Sequence, residues 1–145
     1  MSSTTNSSFI NRPLQAVFDF ATTHKHWPQY HPNSLGVSGV TERSVQVGDV
    51  TRERANLAGN VGEGDWLCVA RLEPYQVVWT INNPGFKATL IYAFESEGEG
   101  TRFTRILAFH APTMPEAARP QFAAYMQGES EKAVQNLKRI MENSQ

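Results

Sequence analysis

The chain has 145 residues, 40% of them hydrophobic, and a formal net charge of −1. This length fits one domain, expected over residues 1–145, with core enough to hold without a disulfide or metal staple. The near-neutral charge, with no polybasic run, argues against nucleic acid and anionic membranes as partners, and no apolar run approaches the ~20 residues of a spanning helix.

Met1 to Ser8 is polar, without the basic start and apolar core of a signal peptide. Cys68 is the only cysteine, so no intrachain disulfide or thiolate cluster can form. Together these lead to the expectation of a cytoplasmic protein. An opening strand is expected over Thr4–Asn11. Pro13 then suits the first turn of a helix, with Leu14, Val17, Phe18 and Ala21 at helical spacing up to about Thr23. His24–Pro32 holds two prolines and reads as a loop with a short second helix.

From Leu35 the valines favour strands, with Val47-Gly48-Asp49 expected as a tight turn between two of them. Thr51–Leu57 alternates charged and apolar residues, and glycine-rich Gly59–Gly64 suggests a hairpin. Further strands are expected over Trp66–Leu72, Gln76–Ile81, Phe86–Glu95 and Thr101–His110, separated by Glu73-Pro74, Asn82–Gly85 and Ser96–Gly100. From about Met114 a helical stripe returns with Phe122, Tyr125, Met126, Ala133, Leu137, Ile140 and Met141. Gly128 interrupts that helix, and its missing side chain suggests a close approach by the sheet, a ligand or a partner. Short turns between successive strands imply an antiparallel meander, hence an α+β fold.

Several short motifs, in this order, resemble the SRPBCC superfamily, the START-related, birch-pollen-allergen-like helix-grip proteins. They are Asn11-Arg12-Pro13 leading into Val17-Phe18-Asp19-Phe20, then Trp27-Pro28-Gln29-Tyr30-His31-Pro32 and Val47-Gly48-Asp49-Val50. Leu72-Glu73-Pro74, Tyr92-Ala93-Phe94-Glu95 and Gly100-Thr101-Arg102-Phe103-Thr104 follow. The likeness is greatest to the polyketide cyclase/dehydrase-like branch. It implies a curved antiparallel sheet of about six to seven strands around a long C-terminal helix, with two short helices after the first strand. It also implies an internal cavity, one end of which the Trp27–His31 segment closes.

Arg105 shares a strand face with Phe103, Leu107 and Phe109, so it must be paired or stand at a cavity. It is either a cation for a ligand carbonyl or carboxylate, or a partner of Glu53 or Glu63. Arg54 is a weaker candidate of the same kind. Trp27, Tyr30, Trp66, Trp79, Tyr92, Phe109 and Tyr125 are expected to line a pocket or fill the core. His31 and Arg105 are the weak catalytic candidates, and His110 is by residue type a further acid or base. His24, His26 and His31 lie in a proline-broken segment without a matching carboxylate, so no metal is expected, and no nucleotide or other cofactor.

The leading functional expectation is a binder of a hydrophobic or aromatic, lipid- or polyketide-like molecule. The alternatives are a cyclase/dehydratase acting in the same cavity, and a closed-cavity interaction module, possibly homodimeric, using a sheet edge or the long helix.

Overall fold

A computed structural model of the chain describes residues 2–144. The elements in order are β1 (Ser2–Ile10), α1 (Leu14–Ala21), a 3-10 turn (His24–His26), α2 (Trp27–Tyr30), β2 (Ser34–Gly39) and β3 (Val50–Leu57). They continue with β4 (Asn60–Leu72), β5 (Gln76–Asn83), β6 (Phe86–Glu97), β7 (Gly100–His110), a second 3-10 turn (Glu116–Ala118) and α3 (Arg119–Asn143). The strands form one antiparallel, seven-stranded sheet in the order β1-β7-β6-β5-β4-β3-β2. This is the α+β helix-grip architecture that the sequence implies.

Period-two burial builds the sheet. Along β6, Ala88, Leu90, Tyr92 and Phe94 turn inward, and along β7 Phe103, Leu107 and Phe109 do so. The two strands pair without interruption from Lys87↔His110 to Glu97↔Gly100. The β3–β4 hairpin turns on Ala58 and Gly59, both at positive φ (55° and 93°), the backbone of a two-residue primed turn. Register shifts at Ser34/Gly36 and at Cys68/Ala70 bend the sheet.

Two expectations need correction. Residues 40–49 form no strand pair around Val47-Gly48-Asp49; they make a loop between β2 and β3. Gly48 N–H donates to the Cys68 carbonyl and Val45 N–H to the Thr22 carbonyl, so the loop anchors its backbone on β4 and on the residue that follows α1. Val45 is buried, and Val47 is exposed. The first helix ends at Ala21, before Thr23. Thr22 and Thr23 turn their hydroxyls back onto the carbonyls of Phe18 and Asp19, competing with continuation of the helix.

The helix α3 buries Phe122, Met126, Ser130, Ala133, Val134, Leu137 and Met141. It packs chiefly on β1, with lesser contact to α2 and β7. The concave faces of β3, β4 and β5 are therefore left partly uncovered. Gly128 faces solvent, and a Cβ there would meet nothing within 4 Å, so the sheet does not make the close approach expected at this glycine.

Candidate functional site

The uncovered concave face encloses a cavity of about 520 Å³. Leu57, Ile81, Leu90, Leu107, Phe122 and Met126 are part of its apolar wall. It reaches the surface at Asn60–Gly62, Gly85 and Thr113–Pro115, where lining residues are exposed. Gly64 on β4 lies on the wall, and a Cβ there would collide with the side chains of Ile81 and Asn83.

Four of the residues named from sequence line this cavity: Trp27, His31, Trp66 and Arg105. Tyr30, Trp79, Tyr92 and Phe109 stand behind its wall, each at most 3% exposed. Tyr125 is half-buried and donates its hydroxyl to the Asn56 carbonyl at 3.2 Å, tying α3 to β3. Arg54 points to the outer face of β3, because the strand turns Thr51, Glu53 and Ala55 inward. His110 ends β7 without lining the cavity. The three clustered histidines do not converge: His26 stacks on Phe20 at 3.9 Å, and His24 lies against Trp27 at 4.1 Å.

Arg105 faces inward as its strand phase requires. Its Nη1 donates to Ser130 Oγ at 2.9 Å, and its buried Nε has no partner among the described residues. Neither Glu53 nor Glu63 forms an ion pair with it among the described residues. The sequence presents Glu53 only as a partner for Arg105, yet Glu53 is itself a wall residue. Its carboxylate accepts from Trp66 Nε1 at 3.0 Å. Burial raises the Glu53 carboxyl, while the nearby Ser34 hydroxyl, the indole N–H and Arg105 pull it back. Ser130 was also missed; its place in the buried stripe between Met126 and Ala133 was the available signal.

Behind the wall runs a buried polar chain. Because α1 ends at Ala21, that carbonyl lacks a helical partner. It accepts from Trp27 Nε1 at 3.1 Å and from Tyr30 Oη at 2.8 Å. Tyr30 Oη lies 3.1 Å from Tyr92 Oη, which lies 3.0 Å from His31 Nε2. The Arg105 guanidinium stands beside the same Tyr92 hydroxyl. Burial pushes Tyr92 up to about 12 against the pull of Arg105, and burial holds His31 well below its usual value, helped by Arg105 and His24. His31 is therefore neutral at pH 7. The arrangement offers an apolar chamber with Arg105, the carboxyl groups of Glu53 and Glu63, and the neutral imidazole of His31 on its wall.

The family described as polyketide cyclase/dehydrase and lipid transport matches residues 1–142. The chain belongs to this family. Its fold is shared with a START superfamily protein from Mycobacterium smegmatis at 13% identity and a TM-score of 0.77, covering 97% of this chain and 99% of that one. It also resembles major latex-like protein 151 from Panax ginseng, at 14% identity and a TM-score of 0.66, with 97% of each chain covered. The di-domain ARO/CYC BexL of the BE-7585A biosynthetic pathway aligns at 18% identity and a TM-score of 0.72, over 99% of this chain and 50% of BexL. At these identities the likeness concerns fold alone. No curated protein matches the chain in sequence. The polyketide cyclase/dehydrase and lipid-transport family lies within the SRPBCC helix-grip proteins that the sequence motifs resemble. In this member no helix among the described residues is long and apolar enough to cross a membrane.

Proposed function

We propose that the chain binds a hydrophobic or aromatic small molecule, lipid- or polyketide-like, between the sheet and α3. The observation that carries this reading is the cavity of about 520 Å³, apolar over most of its wall and open at one end. That volume lies in the range of small-molecule sites, and the few polar groups on the wall would orient the guest. A packed interior would instead have favoured an interaction module. The test is a thermal-shift panel of fatty acids, quinones, flavonoids and aromatic polyketides, with native mass spectrometry of freshly purified protein. A true ligand at about 100 times its Kd adds about 2.7 kcal/mol of stability. A panel without any shift, together with a ligand-free mass, would count decisively against binding.

A cyclase/dehydratase is the second reading. Arg105 and His31 on one chamber wall favour it, since a cation can polarise a carbonyl while a neutral imidazole takes a proton. Family membership and the BexL likeness keep it in view. In that case Arg105→Ala lowers kcat on a poly-β-keto substrate by about a hundredfold or more. Unchanged turnover removes Arg105 from any mechanism.

A further inference from the structure

The buried chain behind the wall fixes where its hydrogens lie. A tyrosine hydroxyl has one hydrogen. Tyr30 spends its own on the Ala21 carbonyl, which can only accept. The Tyr30–Tyr92 contact must therefore be donated by Tyr92. With the Tyr92 hydrogen committed, the contact to His31 must be donated by His31 Nε2–H. A neutral imidazole carries one N–H, so His31 Nδ1 holds a bare lone pair. That nitrogen is buried and has no partner among the described residues, and His31, only 4% exposed, lines the cavity. An unpaired buried acceptor costs free energy, and a hydrogen-bond donor inside the cavity relieves that cost.

We infer that His31 Nδ1 is the acceptor for a hydroxyl carried by the cavity's ligand, its tautomer set from Ala21 through Tyr30 and Tyr92. This rests on the binding reading above and specifies it: the preferred guest is a neutral apolar molecule bearing a phenol or alcohol. Arg105 flanks the same Tyr92 hydroxyl, and its Nε–H is free, so an acceptor oxygen beside that hydroxyl group is also served. Tyr30 and Tyr92 are positioning residues; they act through His31.

Two measurements test this. A long-range ¹H–¹⁵N spectrum of the ligand-free protein at pH 7 reads the His31 ring directly. The expected result is a protonated Nε2 and a bare Nδ1; a proton on Nδ1, or a cationic ring, overturns the inference before any ligand is added. Calorimetry with 2-naphthol and 2-methoxynaphthalene then isolates the hydroxyl. The expected result is roughly fivefold to tenfold tighter binding of the naphthol, with a perturbed Nδ1 resonance. Tyr92→Phe keeps the ring and narrows the ratio to about twofold or less, with folding checked by near-ultraviolet circular dichroism. A ratio that Tyr92→Phe leaves unchanged overturns the relay. Equal affinity for both probes in the parent protein overturns the inference while leaving the cavity reading intact. Binding of neither probe, nor of any apolar compound in the panel, overturns both.

Discussion

His24 and His31 are two residues through which pH acts on this protein. Both are buried, and neither nitrogen of His24 has a partner among the described residues. Burial pushes His24 down to about 3, against the pull of Asp49, and holds His31 well below 6.5. In the unfolded chain both titrate near 6.5. As pH falls below that value the unfolded state takes up protons that the native state refuses, so stability falls on acidification. For His24 this costs about 2 kcal/mol between pH 7 and pH 5, and His31 acts in the same direction. Glu53 acts in the opposite sense, since its raised carboxyl eases the folded state as it protonates, but only toward the acid end. His24→Phe keeps an aromatic against Trp27 and removes two unpaired nitrogens. It should add about 1 kcal/mol or more at pH 7 and remove about 2 kcal/mol of the acid loss. Urea unfolding at the two pH values decides this; equal losses in parent and variant exclude His24. Such effects were only partly legible in the sequence. Arg105 betrayed itself as one charge on an apolar face. Glu53 lay in the same kind of alternation, opposite in phase to Arg54, and could have been found there. The role of His31 could not, because its partner Tyr92 is 61 positions away on another strand.

Among the elements, two glycines reverse what sequence context suggests. Gly128 sits within α3 and invites a reading of close packing, yet a Cβ there meets open space. Gly128→Ala should therefore stabilise the helix by about 0.5–1 kcal/mol. Gly100 closes an unremarkable polar loop, yet a Cβ there would lie 2.6 Å from the Ile10 carbonyl oxygen and also strike the Phe9 ring. A backbone oxygen cannot step aside, so Gly100→Ala should cost about 1–3 kcal/mol. Denaturation midpoints of both variants check the pair, and a neutral Gly100→Ala would show that β1 and β7 are less tightly locked than their pairing implies. The difference is tertiary: Gly100 is pressed by β1, a strand 90 positions earlier at Ile10, and no local pattern carries that. The meander itself was legible, because β3 to β7 are joined by short turns and alternate with period two. The loop over residues 40–49 was not, because its valines satisfy strand propensity while their backbone is held by Thr22 and Cys68.

At the scale of the whole molecule, a bent seven-stranded sheet meets one long helix that leans on the β1 side. The mismatch leaves the cavity, and the cavity leaves Arg105 half-buried with Ser130 as its hydrogen-bonded side-chain partner and Nε unpaired. A charge so placed is poor for stability and good for recognition. Desolvation opposes it in the empty fold, whereas a ligand oxygen would gain a charge-assisted bond. Arg105→Met keeps the length and apolar stem of the side chain and removes the charge. We expect its urea midpoint to equal or exceed that of the parent, while affinity for an oxygen-bearing ligand falls by about tenfold or more. Affinity for a purely hydrocarbon guest should hold steady, because its contacts with Leu57, Leu90 and Leu107 are untouched. Opposed shifts in stability and polar affinity mark a residue kept for its ligand. A variant that loses stability and still binds the oxygenated ligand unimpaired would mean that Arg105 braces α3 through Ser130, and that recognition rests on the remaining wall.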